Sequence, residues 1–419
     1  MSSTLELPTL RPVIKANPDG SDAPLERVEP SRRLPGLDGL RAFAIASVIL
    51  FHVAGMENFD AQTGPLSVLT RFASAGWAGV DLFFVLSGFL ITRILLNSKG
   101  KDGYFRIFYA RRSLRIFPLY YLYVALVTVV LPLLHRPGTD YWQSFHVWDR
   151  ASVLFYFYNL RFFITHQPLV LVSHFWSLAL EEQFYMVWPF LVAKCNRRQL
   201  AWIAAVGIAV AFGNRIANDT AGWLPPGLKF TVAFGRMDGL FVGAILALVY
   251  RRQRYWSVVS RWAPTVLLLS GAILAGLAAY QRSFAGVLLV EGVTPLSVFF
   301  GALLVLVLQE GALSRFLDSP ILRRVGLYSY GIYMLHWLVE GCAGNALHHL
   351  RWLSHHPIIQ SVLLFVMTFS ITTALAALSF HLFEAKLLRY KPGFKTLSRT
   401  DSLDQAQSPA YQSYPSLVQ

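Results

Sequence analysis

LDGLRAFAIASVILFHVAG, residues 37–55, is a continuous apolar run that nevertheless carries Arg41 and His52. A hydrocarbon core needs about 20 apolar residues of α-helix to cross it, and this run has that length. At 1.5 Å per residue the two ionisable side chains lie roughly 16 Å apart along the axis, and three turns of 3.6 return them to nearly the same face. Ionisable groups inside a membrane helix are costly unless they face a cavity or a partner, so the pair marks a functional site within the bilayer.

The rest of the chain has the same character. Of 419 residues, 55% are hydrophobic and only 14% charged, with a mean hydropathy of +0.46, which excludes an ordinary soluble globule. Apolar stretches recur near 38–56, 78–96, 118–134, 178–195, 200–214, 229–250, 263–280, 296–310, 326–344 and 358–383. The expected fold is all-α and polytopic, with about ten transmembrane helices around a central cavity. The net charge of +14 does not point to nucleic acid, because Lys and Arg concentrate in alternate loops, the bias that places those loops in the cytoplasm. Arg251, Arg252, Arg254 and Arg261 read as such topology charges. An even helix count then puts both termini inside the cytoplasmic membrane. Residues 1–33 and 391–419 are polar and read as disordered cytoplasmic extensions around a membrane domain at 34–390. Cys195 and Cys342 stand far apart, without zinc-like spacing or a disulfide framework.

A series of motifs follows the first helix in order: GWAGVDLFFVLSGFLIT at 76–92, YARRSLRIFPLYY at 109–121, HFWSLALEEQFYMVWPF at 174–190, FGRMDGLFVGA at 234–244, YSYGIYMLHW at 328–337 and FHLFEAKLL at 380–388. With LDGLRAFAIASVILFH, this series resembles the acyltransferase-3 family of integral membrane O-acyltransferases over about residues 34 to 390. The resemblance implies transfer of an acyl group, most often acetyl, from cytoplasmic acyl-CoA to a hydroxyl of a carbohydrate or sugar-containing acceptor. It implies acyl-CoA as a co-substrate and no bound cofactor or metal.

A hydroxyl becomes a good nucleophile once a base takes its proton, and imidazole suits that task near neutral pH. His52 is therefore the candidate base. Arg41 matches the family arginine; it binds the CoA phosphates, stabilises charge on the thioester oxygen, or snorkels to the headgroups. Arg112 and Arg115 form the R-x-x-R pattern, share a helix face, and are the candidates for holding acyl-CoA, with ordinary topology charge as the competing reading. Of Glu181 and Glu182, one is expected to face the cavity; the resemblance favours Glu182 as the catalytic carboxylate that orients His52, pairs with an arginine or binds an acceptor hydroxyl.

Asp81, Arg236 and Asp238 are further intramembrane charges, and the spacing of two in Arg236 and Asp238 sends each to a different partner, in an architectural or a cavity-lining role. Ser87 and Gly88 suit close helix approach. Tyr333 and His336 share a face and serve acceptor binding or interhelical hydrogen bonding, as does Tyr330. Trp142, Trp148, Tyr156, Tyr158 and Phe162 suggest an interfacial or re-entrant segment on the outer side. His348, His349, His355 and His356 read as an exterior loop rather than a metal site. The rival class is a transporter or flippase of a sugar-linked lipid that uses the intramembrane charges as a path, but no inverted repeat supports it.

The division between site and topology arginines is testable by one conservative change. Arg41→Lys keeps the charge and removes the planar fork, so it should damage acyl transfer, whereas Arg252→Lys and Arg254→Lys should leave it intact. Equal transfer rates in all three variants would remove Arg41 from the site.

Overall fold

The computed structural model describes residues 33–56, 73–134, 146–165, 169–221, 235–281, 291–350, 352–353 and 356–386. The extensions expected over 1–33 and 391–419 lie outside these residues, save for Arg33. Among the described residues the regular elements are all helices. In chain order they are α1 (Leu37–Met56), α2 (Gly79–Ser98, preceded by the 3-10 turn Ala75–Ala78), α3 (Tyr104–Ala125, continued by the π-helical Leu126–Val130), α4 (Val147–Leu154), α5 (Tyr158–Thr165) and α6 (Phe175–Lys194). There follow α7 (Arg197–Ala221), α8 (Asp238–Tyr250), α9 (Gln253–Gln281), α10 (Val293–Val307), α11 (Ala312–Leu317), α12 (Pro320–His348) and α13 (Pro357–Ser379, continued by the π-helical Phe380–Glu384).

The apolar stretches read from the sequence overlap α1, α2, α3, α6, α7, α8, α9, α10, α12 and α13; of the stretch at 229–250, residues 229–234 lie outside the described residues and α8 covers 238–250. Among the described residues six helical runs, against the ten or so expected, are long and apolar enough to cross a membrane: Leu37–Ala54, Ala75–Ser98, Tyr104–Val130, Arg197–Ala217, Gln253–Tyr280 and Ile358–Leu382. This is a multi-pass membrane protein. Helices suit that setting because they satisfy their backbone groups internally. The apolar windows of α7, α9 and α13 are only 22% buried within the protein, so most of their apolar surface faces outward. The short helices differ: α8 has 13 residues and α10 has 15, less than a bilayer core requires. The remaining two, α6 and α12, interrupt their apolar runs with Glu181 and Glu182, and with His336 and Glu340.

Residue size decides how closely these helices meet. A Cβ on Gly88 of α2 would strike the carbonyl oxygen of Leu240 in α8, and one on Gly243 of α8 would strike the carbonyl oxygen of Val85. The α2–α8 crossing is therefore backbone against backbone, as small residues permit in membranes. On the other side, Gly326 of α12 rests on the Asp38 carbonyl of α1, which brings α1 and α12 together along their length. Ser87, expected to share the packing role of Gly88, instead donates a 2.7 Å hydrogen bond to Glu181 Oε1. A hydroxyl turned toward a carboxylate is better satisfied there than against a neighbouring helix backbone.

One chemical change should give opposite outcomes at two glycines. Gly88→Ala drives a methyl into the Leu240 carbonyl, and overpacking of this kind costs roughly 1–3 kcal/mol. At Gly213 of α7, nothing lies within 4 Å of an added Cβ, and Ala favours a helix over Gly by about 1 kcal/mol. Thermal unfolding in detergent should show a lowered midpoint for Gly88→Ala and an unchanged or raised one for Gly213→Ala.

Candidate active site

Helices α1, α2, α3, α6 and α12 surround a cavity of about 250 Å³. Its polar lining comprises Arg41 from α1, Ser87 from α2, Arg112 and Arg115 from α3, Ser177, Glu181 and Glu182 from α6, and Ser329, Tyr330 and Tyr333 from α12. Phe83, Leu90 and Ile91 of α2 supply an apolar side. The helical repeat explains the grouping: Arg112 and Arg115 are three apart, Ser177 and Glu181 four, and Tyr330 and Tyr333 three, so each pair shares a face.

Both glutamates line the cavity, where the sequence led to the expectation of one. Adjacent residues on a helix diverge by about 100°, but a cavity as broad as this one receives both directions. The Arg112 guanidinium carbon sits 4.0 Å from the centre of the Tyr185 ring, a cation–π contact, and Glu181 and Glu182 are among its charged neighbours. Arg115 has Arg41, Arg112, Asp38 and Glu384 as charged neighbours. Glu384 lies in the FHLFEAKLL motif but was not singled out from sequence; burial raises its pKa and Arg115 opposes that rise. Arg41 donates to Asp38 Oδ1 at 3.0 Å, while Arg33 bridges Asp38 and Asp318, each at 3.0 Å.

His52 occupies a different level. It is absent from the cavity lining and packs instead with Trp337, ring centres 4.4 Å apart, and with His336 at 5.2 Å. His174 lies 5.1 Å from His336 by the same measure. The boundary between the two levels is Tyr333, which lines the cavity yet makes a 5.5 Å ring contact with His336. Its hydroxyl lies 2.6 Å from Ser177 Oγ and donates to the His174 carbonyl at 2.9 Å. Arg41 and His52 thus share a face of α1 but not a compartment. Their axial separation is the reason, and α12 follows it step by step with Tyr330, Tyr333, His336 and Glu340, each about one turn further along. Tyr330 donates to the Ile116 carbonyl at 2.8 Å, an interhelical bond and one of the two roles the sequence leaves open to it, while its side chain also lines the cavity.

The remaining intramembrane charges pair with one another outside the cavity. Arg236 binds Asp81 at 2.9 Å and lies over Trp77 at 4.7 Å. Asp238 takes two bonds from Arg215, at 2.7 and 3.1 Å, and one from Thr294 at 2.6 Å. Arg215, Arg236, Asp81 and Asp238 are all at most 2% exposed. Arg236 and Asp238 meet different partners, as expected, but helical spacing is not the reason, because Arg236 precedes α8, which begins at Asp238. Arg215 lies one residue beyond the apolar stretch at 200–214, in the continuation of α7, and an arginine following a long apolar run, with an aspartate in another, is the sequence signal for the pair.

Of the aromatic stretch, Trp142 lies outside the described residues and Trp148 is exposed. Tyr156 is buried in the turn between α4 and α5, at a φ of 58°. Its ring stacks on Tyr120 at 4.2 Å and reaches the cavity. Tyr156 thus sits between α3 and α6, its carbonyl accepting from Gln183 Nε2 at 3.0 Å, while Trp148, Phe155 and Phe157 of the same segment are exposed. His355 also lies outside the described residues, and among those described no group of three or more His, Cys, Asp or Glu has metal-holding geometry.

Comparison with known proteins adds family evidence. The acyltransferase domain family matches residues 34–378. YrhL of Bacillus subtilis, provisionally named a peptidoglycan O-acetyltransferase, is 33% identical over 387 residues, covering 88% of this chain and 56% of its own. The peptidoglycan O-acetyltransferase OatA of Listeria monocytogenes is 29% identical over 394 residues, 86% of this chain and 58% of the relative. The O-acetyltransferase OatA of Staphylococcus aureus is 30% identical over 241 residues, 54% of this chain and 36% of the relative. The chain thus spans about half the length of the curated relatives it matches. No solved structure matches it.

Proposed function

The chain belongs to the acyltransferase-3 family, and from that premise we propose that it transfers an acetyl group from acetyl-CoA to a hydroxyl of a peptidoglycan-type carbohydrate. The observation that carries this reading is the convergence of Arg41, Arg112 and Arg115 on one cavity whose far wall, Tyr333, touches the level of His52. Three guanidiniums at one mouth suit the phosphate groups of CoA, for which arginine's planar fork is well shaped. The long pantetheine arm then runs along the apolar side of Phe83, Leu90 and Ile91 and presents the thioester near Tyr333. His52 takes the proton of the acceptor hydroxyl, the oxygen attacks the thioester carbonyl, and CoA leaves as its thiol once protonated. Glu181 and Glu182 balance the arginines of the cavity and hold Arg112 in place. In this reading about ten helices span the cytoplasmic membrane, the domain extends over 34–390, both termini and the Arg41 end of α1 face the cytoplasm, and His52 lies toward the other side.

A transporter reading is weakened by the ion pairs. Arg236–Asp81 and Arg215–Asp238 are closed, fully buried contacts away from the cavity, whereas a permeation path needs charged groups exposed to it.

Transfer of label from acetyl-CoA to an N-acetylhexosamine oligosaccharide, by the purified chain in nanodiscs, tests the activity directly. His52→Ala should lower turnover by ~10² to 10⁴ with an unchanged melting point. The double variant Arg112→Gln, Arg115→Gln should weaken acetyl-CoA binding by roughly tenfold or more, given charged hydrogen bonds of about 1.5–3 kcal/mol each. The loss should shrink with dephospho-CoA. Translocation of sugar-lipid without label transfer would reject the enzyme reading.

A further inference from the structure

His336 is fixed in one tautomer. Its Nδ1 lies 2.6 Å from the carbonyl oxygen of Tyr333; a carbonyl only accepts, so Nδ1 carries the proton, and in the neutral ring Nε2 is left as a lone pair. That Nε2 is buried and makes no hydrogen bond, although His336 is 0% exposed. One turn further along α12, Glu340 is 3% exposed and its Oε2 likewise lacks a partner. Residues four apart on a helix share a face, so the two unsatisfied atoms lie on one side of α12, the side on which His336 meets His52, and both ring nitrogens of His174 beside His336 are likewise buried without a hydrogen bond. Buried polar atoms are almost always satisfied, and a cluster of exceptions calls for a partner such as water, an ion or a ligand. Within a membrane-spanning helix the departure is greater, since no bulk water is at hand.

The chemistry of the cluster selects its ligand. No Lys or Arg acts electrostatically on His52, His174, His336 or Glu340 among the described residues, so an anionic group is not matched here, in contrast to the arginine-lined cavity. The lone pair of His336 Nε2 wants a donor, the Glu340 carboxyl accepts when ionised and donates when protonated, and a hydroxyl answers both. The half-buried Trp337, edge-on to His52 at 4.4 Å, adds the aromatic surface on which sugar rings stack. We propose that His336 and Glu340, with His52, bind the hydroxyl groups of a neutral sugar acceptor, at a site divided from the arginine-lined donor cavity by the Tyr333–Ser177 couple. This inference rests on the carbohydrate acceptor proposed above and assigns the residues that recognise it. The locked Nε2 of His336 accepts a hydrogen bond from one sugar hydroxyl. That contact orients the neighbouring hydroxyl toward His52, which makes His336 and Glu340 binding residues and His52 the group that takes the proton.

The test is a pair of titrations on the full chain in nanodiscs, with N,N′-diacetylchitobiose as the sugar probe and acetyl-CoA as the donor. The variants are His336→Asn, whose amide still donates to the Tyr333 carbonyl but lacks the Nε2 lone pair, and Glu340→Gln, of the same shape without the charge. The expected result is a loss of probe affinity of about tenfold or more in each, with acetyl-CoA affinity and melting point unchanged. If one variant fails to fold, the other carries the comparison. Equal probe affinity in wild type and variants overturns the inference, as does a wild type that binds acetyl-CoA but no probe. Parallel loss of both affinities also overturns it, because the two groups would then act through the fold. A wild type that binds the probe, with the variants weakened, but does not bind acetyl-CoA would uphold this site and reject the proposed donor.

Discussion

A charge held in an apolar helix bundle has to be answered within a few ångströms, and this requirement organises the protein. Two answers are present. Arg236 with Asp81, and Arg215 with Asp238 and Thr294, are sets closed off from the cavity and paired with one another with no exposure to speak of, although Asp81 Oδ1 accepts no hydrogen bond. They tie α2 and α7 to the start of the short helix α8. Removing one member of such a set leaves a buried charge unanswered, which is why ion pairs of this kind fix geometry more than they add stability. The second answer is open: Arg41, Arg112, Arg115, Glu181 and Glu182 face a shared cavity, where charge is balanced across space that a ligand can enter.

The closed sets make the open one usable. With α2 held against α8 by the Gly88 and Gly243 crossings, the other face of α2 is free to present Phe83, Ser87, Leu90 and Ile91 to the cavity. Ser87 bonded to Glu181, and Arg112 stacked on Tyr185, then hold α3 and α6 at fixed positions across from it. The short length of α8 and α10 belongs to the same design, because their ends bring Asp238 and Thr294 together inside the protein.

Along α1 and α12 the polar groups form two parallel ladders. Arg41 and the tyrosines occupy one level, and His52 with His336 and Trp337 the next. Among the described residues the first is rich in cations and the second has none, so the two levels suit ligands of different charge. Tyr333 belongs to both, through its cavity wall and its contact with His336. In the proposed reaction such a division would keep an anionic donor and a neutral acceptor in separate environments that meet at one side chain.

Much of this was legible in the chain itself. Apolar runs mark where the helices lie, because a bilayer leaves the backbone few alternatives, and each run read from the sequence overlaps a helix among the described residues. The motif order marked the family, and the spacing of Arg112 from Arg115 and of Arg41 from His52 fixed which residues share a face. Periodicity, however, speaks only of one helix at a time. It could not show that Arg41 and His52 would stand in different compartments, that Glu181 and Glu182 would both reach the cavity, that Ser87 would leave the helix crossing for Glu181, or that Arg215 would answer Asp238. Those outcomes depend on which helices are neighbours and at what height they cross. That is set by backbone contacts at Gly88, Gly243 and Gly326, between residues far apart in the chain, and so only the tertiary structure decides it.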